Sequence, residues 1–106
     1  MNPFKKLVIK NILIKAKAVI ANPDNWIQNS MAQGIDGWQT SVSDPQACKF
    51  CSVGAIYKVN GSMNSVTELA RIALEKNTGG LSLDMFNDTH THQEVMALFD
   101  TAIKNA

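Results

Sequence analysis

Long hydrophobic runs are missing from this sequence. Its most apolar stretch, Leu7–Ile14, is interrupted by Lys10 and Asn11, so nothing approaches the roughly 20 apolar residues that span a bilayer. Lys10, Lys15 and Lys17 also break the continuous apolar segment that a secretory leader requires. The expected setting is therefore the cytoplasm, with no membrane partner, where the two cysteines stay reduced. An excess of one charge is missing too. Ten Lys and Arg against nine Asp and Glu leave a formal net charge of +1, which gives no general electrostatic case for binding DNA or RNA. Acidic residues are absent locally, from the N-terminal segment in which Lys5, Lys6, Lys10, Lys15 and Lys17 recur. The plain reading of that segment is the solvated face of an amphipathic helix; the alternative is a face that meets an anion, a membrane surface or nucleic acid. Internal repeats and low-complexity tracts are lacking as well.

What is present is an ordinary globular composition. A chain of 106 residues, 45% hydrophobic and 18% charged, has material for one modest core, so residues 1–106 form a single domain. Ile9, Ile12, Leu13, Ala16, Val19 and Ile20 recur at helical spacing and predict a first helix from about Pro3 to Ala21, stopped by Asn22-Pro23. Two short segments led by Trp26 and Trp38, on either side of Gly34-Ile35-Asp36-Gly37, read as a β-hairpin that must lie on the helices or recruit another strand.

Further along, Asp44-Pro45 predicts a second helix from about Pro45 to Val59, ended by Asn60-Gly61. Ser65 with Glu68 reads as a capping box opening a third, whose inward residues are Val66, Leu69, Ile72, Ala73 and Leu74. Leu81–Asp88 reads as an irregular or single-turn connector. Thr91 with Glu94 is a second capping box, opening a last helix that faces Val95, Leu98, Phe99, Ala102 and Ile103 inward. The expected fold is mostly α (α+β), with about four helices and one small antiparallel hairpin after the first.

Cys48 and Cys51 would lie on one face of the second helix, where Gly54-Ala55 lets another backbone approach closely. Joined by His90 and His92 they could suggest zinc. Structural sites, however, usually draw a close cysteine pair from a turn, and His-x-His is shorter than the common spacing, so no metal and no cofactor is expected. Cys51 as nucleophile with His92 as base and Asp88 or Asn87 orienting it is the weak catalytic alternative. At the first turn of a helix the positive dipole end disfavours the imidazolium that such a pair needs. Asn87 and Asp88 read as turn formers or as ligand-facing groups beside Trp26 or Trp38.

Several segments together resemble a known family. Trp26-x-Gln28, Asp44-Pro45-x-Ala47, Phe50-Cys51-x-x-Gly54-Ala55-Ile56, Phe86-Asn87-Asp88 and Thr91-His92-x-Glu94-Val95 resemble the pattern of small bacterial and phage proteins of unknown function. The resemblance, over residues 26 to 103, implies that Cys51, Asn87, Asp88 and His92 matter more than Cys48 and His90. It supplies no activity, and by analogy it makes a role in phage–host conflict conceivable.

The functional expectation is a small binding or interaction module rather than an enzyme, acting on a host protein or a small polar, nucleotide-like signal. Its candidate ligand-binding residues are Trp26, Gln28, Trp38, Asn87, Asp88 and His92. The alternatives are a Cys51/His92 hydrolase, a purely structural protein, and an adaptor that meets nucleic acid through its first helix.

Overall fold

The computed structural model describes residues 2–61 and 63–106. Helix α1, Pro3–Val19, starts where Asn2 accepts from the Lys5 amide and Pro3 occupies the first helical position. A short 3-10 turn, Pro23–Asn25, follows. Strand β1, Ala32–Gly34, and strand β2, Ala47–Phe50, then pair antiparallel, with Ala32 opposite Phe50 and an irregularity between Gln33 and Gly34. The remaining helices are α2, Ser52–Asn60; α3, Ser65–Glu75; α4, Leu83–Thr89; and α5, His92–Asn105. The chain is mostly helical with a small antiparallel pair after the first helix, as expected, but the described residues hold five helices, not about four. None is long and apolar enough to cross a membrane.

The pair of strands is not drawn from the expected segments. The turn at Gly34–Gly37 forms, and residues 38–40 return alongside β1 through the Gly34 amide to Trp38 carbonyl and Thr40 amide to Ala32 carbonyl bonds. They contribute only a single bridge, Gln33 to Gln39, and the paired strand is Ala47–Phe50. Helix α2 accordingly starts at Ser52, not Pro45. Asp44-Pro45 makes a turn instead: Asp44 Oδ1 accepts from the Gln46 amide, Oδ2 accepts from the Thr40 hydroxyl, and the Asp44 carbonyl accepts from the Ala47 amide. Asp-Pro suits the first positions of such a turn as well as it suits a helix start, so the pair alone cannot choose.

Backbone approach decides the choice. The Met31 carbonyl accepts from the Cys51 amide and lies directly over Gly54, where an added Cβ would sit 2.1 Å from the Met31 oxygen. Gly54 is therefore the residue that lets the segment before β1 seat on the first turn of α2. Helix α2 is the central element, with every residue from Ser52 to Tyr57 buried, and it ends at Gly61 in the left-handed region. Helix α1 packs on α2, α3 and α5, burying Leu13, Ala16 and Ile20 against a core that includes Ile56, Leu74, Val95 and Phe99.

Three local expectations need correction. Helix α3 is capped by Asn64 with Thr67, not by Ser65 with Glu68; Asn one position earlier is at least as good a cap, which leaves Glu68 available for other bonds. Ile72 is 41% exposed rather than inward. The segment after Gly79-Gly80 is not an irregular connector but the two-turn helix α4, capped by the Ser82 hydroxyl. The Thr91–Glu94 box at the start of α5 forms as expected.

Because the Met31 carbonyl is backbone and cannot swing aside, Gly54→Ala should destabilise the protein by about 3 kcal/mol or more, or prevent folding. Urea denaturation checks this, and a midpoint indistinguishable from that of the native sequence would show that Met31 does not seat on α2.

Candidate functional site

Four of the sequence-selected residues meet around one buried amide. Asn87, on α4, is completely buried. Its Oδ1 accepts from the Trp26 indole Nε1 at 2.7 Å, from the Ser52 amide at 3.0 Å and from the Ser52 hydroxyl at 2.6 Å. Its Nδ2 donates to the Ile27 carbonyl and to Asp88 Oδ1, both at 3.1 Å. Every donor and acceptor of the amide is thereby used inside the protein. Asn87 joins three segments: the loop after α1, the first turn of α2, and α4.

Its neighbours extend the joint. The Gln28 side-chain amide donates to the Asn87 and His90 carbonyls, tying down the C-terminal end of α4. Asp88 Oδ1 accepts from the Asn29 amide, and Asn29 holds a left-handed backbone with φ of 69°. The His92 ring meets the Trp26 ring edge-on at 5.5 Å, and His92 Nε2 lies 2.7 Å from the Ile20 carbonyl. A carbonyl only accepts, so Nε2 carries the proton and donates. His90 stacks on Phe86 at 3.7 Å, and by the same reasoning its Nδ1 donates to the Phe86 carbonyl.

The cysteines do not share a helix face. Cys48 is exposed on β2, with its sulfur 3.7 Å from the Gln33 carbonyl. Cys51 is the N-cap of α2: its sulfur accepts from the Gly54 amide at 3.3 Å. A capping thiol at a helix N-terminus is a place where acidity can rise. Here burial outweighs that and pushes the Cys51 thiol above its ordinary value, with Asp88 and Asp84 adding to the rise against the backbone amides. Among the described residues no hydrogen bond joins Cys51 to His92, and no group of three or more His, Cys, Asp or Glu is arranged to hold a metal ion.

Cys51 and Asp88 do share a cleft. It has a volume of about 470 Å³ and lies between the Asn29–Met31 segment, α2, α3 and α4. At one end are Asp88, whose Oδ2 has no hydrogen bond among the described residues, and the exposed Asp84. At the other, the Tyr57 hydroxyl donates to Glu68 Oε1 at 2.9 Å, and Arg71 grips Glu68 Oε2 and Glu75 Oε1 at 2.6 Å each. Arg71, and then Tyr57, hold the Glu68 carboxyl below its ordinary value. Met31 and Met63 line the apolar side.

Of the residues selected from sequence, Trp26, Gln28, Asn87 and His92 form the joint and Asp88 connects it to the cleft. Trp38 is elsewhere: 76% exposed just after the Gly34–Gly37 turn, it neither joins the Asn87 network nor lines the cleft. Tyr57, Glu68 and Arg71 were not anticipated. The three- and four-residue spacing of Glu68, Arg71 and Glu75 on one helix was a visible signal of a charge ladder.

Removing the Asn87 amide leaves the Trp26 indole, the Ser52 amide and hydroxyl, and the Ile27 carbonyl short of partners, so Asn87→Ala should cost about 4 kcal/mol. Asn87→Asp would set a second carboxylate against Asp88 Oδ1. Burial and that neighbour would raise the new group's folded value above its unfolded one, so this variant should be most stable in acid and lose stability as pH rises. Denaturation of both variants at pH 5 and pH 8 tests this. Stability of Asn87→Asp that improves with pH, or Asn87→Ala near the native midpoint, would contradict the role of Asn87.

Neither a curated protein nor a solved structure matches this chain. A family does, across residues 6–105, and its description is a family of unknown function, DUF6197. With nearly the whole sequence matched, the chain belongs to the DUF6197 family.

Proposed function

We propose that this chain is a small binding module that takes a cation-bearing partner group in the cleft between α2, α3 and α4, rather than an enzyme. The observation that carries this reading is Asp88. One of its oxygens is fixed by Asn29 and Asn87, the other has no hydrogen bond among the described residues, and the residue lines the cleft. A carboxylate held rigid on one side and open on the other is pre-organised to accept hydrogen bonds from an ammonium or guanidinium group.

The surroundings favour the same chemistry. Glu68, Asp84 and Asp88 line the cleft against one cation, Arg71, which is already bound to two carboxylates. That balance speaks for a lysine or arginine side chain, or a small polar amine, and against a nucleotide-like phosphate. Met31 and Met63 on the apolar wall suit the aliphatic stem of such a side chain. The resemblance to bacterial and phage proteins makes a host protein a fitting source of that side chain. The hydrolase alternative receives less support, because the Cys51 thiol is buried as a helix cap and His92 is committed to the Ile20 carbonyl.

Titration of the labelled protein with a short arginine-containing peptide, followed by amide chemical shifts, should perturb Asn29, Met31 and Asp88 and saturate. Asp88→Asn keeps an acceptor for the Asn29 amide and removes the charge, so binding should weaken about tenfold or more with little loss of stability. In the same protein a thiol-reactive probe at neutral pH should label Cys48 quickly and Cys51 only after unfolding. Shifts that avoid the cleft would reject the binding reading, and rapid selective labelling of Cys51 would favour the hydrolase.

A further inference from the structure

Helix α1 is apolar on two opposite sides. One side packs into the core through Ile9, Ile12, Leu13 and Ala16. On the other, Phe4, Leu7 and Ile14 are 77%, 55% and 45% exposed, and none of the three belongs to the hydrophobic core or packs against it. Asn11 and Ala18, both exposed, complete the series. The five positions advance by steps of three, four, three and four residues, which is the a/d spacing of a two-helix seam. At 3.6 residues per turn they fall within an arc of about 80°, narrower than the stripe of roughly 100° that packs a helix on a globular core.

The flanks of this strip carry one sign of charge. Lys10 and Lys17 border it on one side and Lys15 on the other, and α1 contains no acidic residue. Lys17 is bound to Asp100, whereas Lys10 and Lys15 have no partner among the described residues. A second copy fits poorly. Paired in parallel it would bring Lys10 against the other Lys15, and paired antiparallel it again offers lysines and no carboxylate. A bilayer fits poorly too, since Asn11 at the centre of the strip would lose its water without gaining a partner. A facing helix can supply an amide opposite Asn11 and carboxylates opposite the lysines.

We propose that the outer face of α1 docks an acidic amphipathic helix of a partner protein. Phe4, Leu7 and Ile14 anchor it, Asn11 fixes its register, and Lys10 and Lys15 select its charge. This surface is separate from the cleft and does not depend on the reading given to it.

The probe is a synthetic helical peptide about three heptads long, with Leu or Ile at a and d, one Asn at a, and Glu at e and g. A control peptide carries Lys at e and g. Fluorescence anisotropy with the full chain should show saturable, salt-sensitive binding of the Glu peptide, about tenfold or more tighter than the Lys peptide. Leu7→Glu with Ile14→Glu should abolish it, with circular dichroism confirming that the helices remain. Lys10→Glu with Lys15→Glu leaves the apolar anchors in place and should reverse the preference toward the Lys peptide. Equal binding of both peptides would overturn the proposal, as would an unchanged preference in the charge-reversed variant. So would association with phosphatidylserine vesicles or duplex DNA without binding of the Glu peptide, or sedimentation showing a dimer that Leu7→Glu dissolves.

Discussion

The side-chain amide of Asn87 joins three parts of the chain at one buried point. Trp26 and Ile27 come from the loop after α1, Ser52 from the start of α2, and Asn87 itself from α4, the shortest of the described helices. A seven-residue helix is too short to be stable alone in water, so its place must be set by tertiary bonds. Asn87 supplies them from a position with no access to solvent, where each bond is worth more to keep than to make, because losing a partner leaves a buried polar group dry. The joint also sets the cleft. Asp88 follows Asn87 and is held by it, and Cys51, which precedes Ser52, lines the same cleft.

The seat of Met31 on Gly54 works with this joint. The chain leaving Trp26 and Ile27 reaches β1 only by passing over the first turn of α2, and Gly54 is the position at which it can do so. That passage places Asn29, Ser30 and Met31 along the cleft. Structure-holding and cleft-lining groups are thus adjacent in sequence. Asn87 is spent on the fold and Asp88 is left partly free, while Cys51 is spent as a cap and its neighbours line the wall.

Much of the helical frame was legible in the sequence, because apolar periodicity and caps report on local geometry. The period of Ile9, Ile12, Leu13 and Ala16, the Thr91–Glu94 box and the Asn60-Gly61 stop each specify their element from residues within one or two turns. The importance of Gly54 for close approach was legible as well. What was not legible depended on distant partners. Asp44-Pro45 is locally ambiguous, and only β1 and the Met31 carbonyl turn Ala47–Phe50 into a strand and delay the helix to Ser52. Cysteine is not among the residues that usually advertise a cap, so the start of α2 carries no local signal. Trp26, Gln28, Asn87, Asp88 and His92 stand out by residue type and by a family resemblance, and neither depends on the spacing that specifies the helices. Trp38 stands out by its residue type, although its side chain is mostly exposed just after a turn.

If Asn87 ties the loop, α2 and α4 into one cooperative unit, the groups bound to it cannot reach water without unfolding the domain. Native-state hydrogen exchange of the Ser52 amide and the Trp26 indole measures this directly. The account predicts that both exchange with the same free energy, and the same denaturant dependence, as the Phe99 amide in the middle of α5. Exchange of either group through a low-energy local opening, well before Phe99, would contradict it.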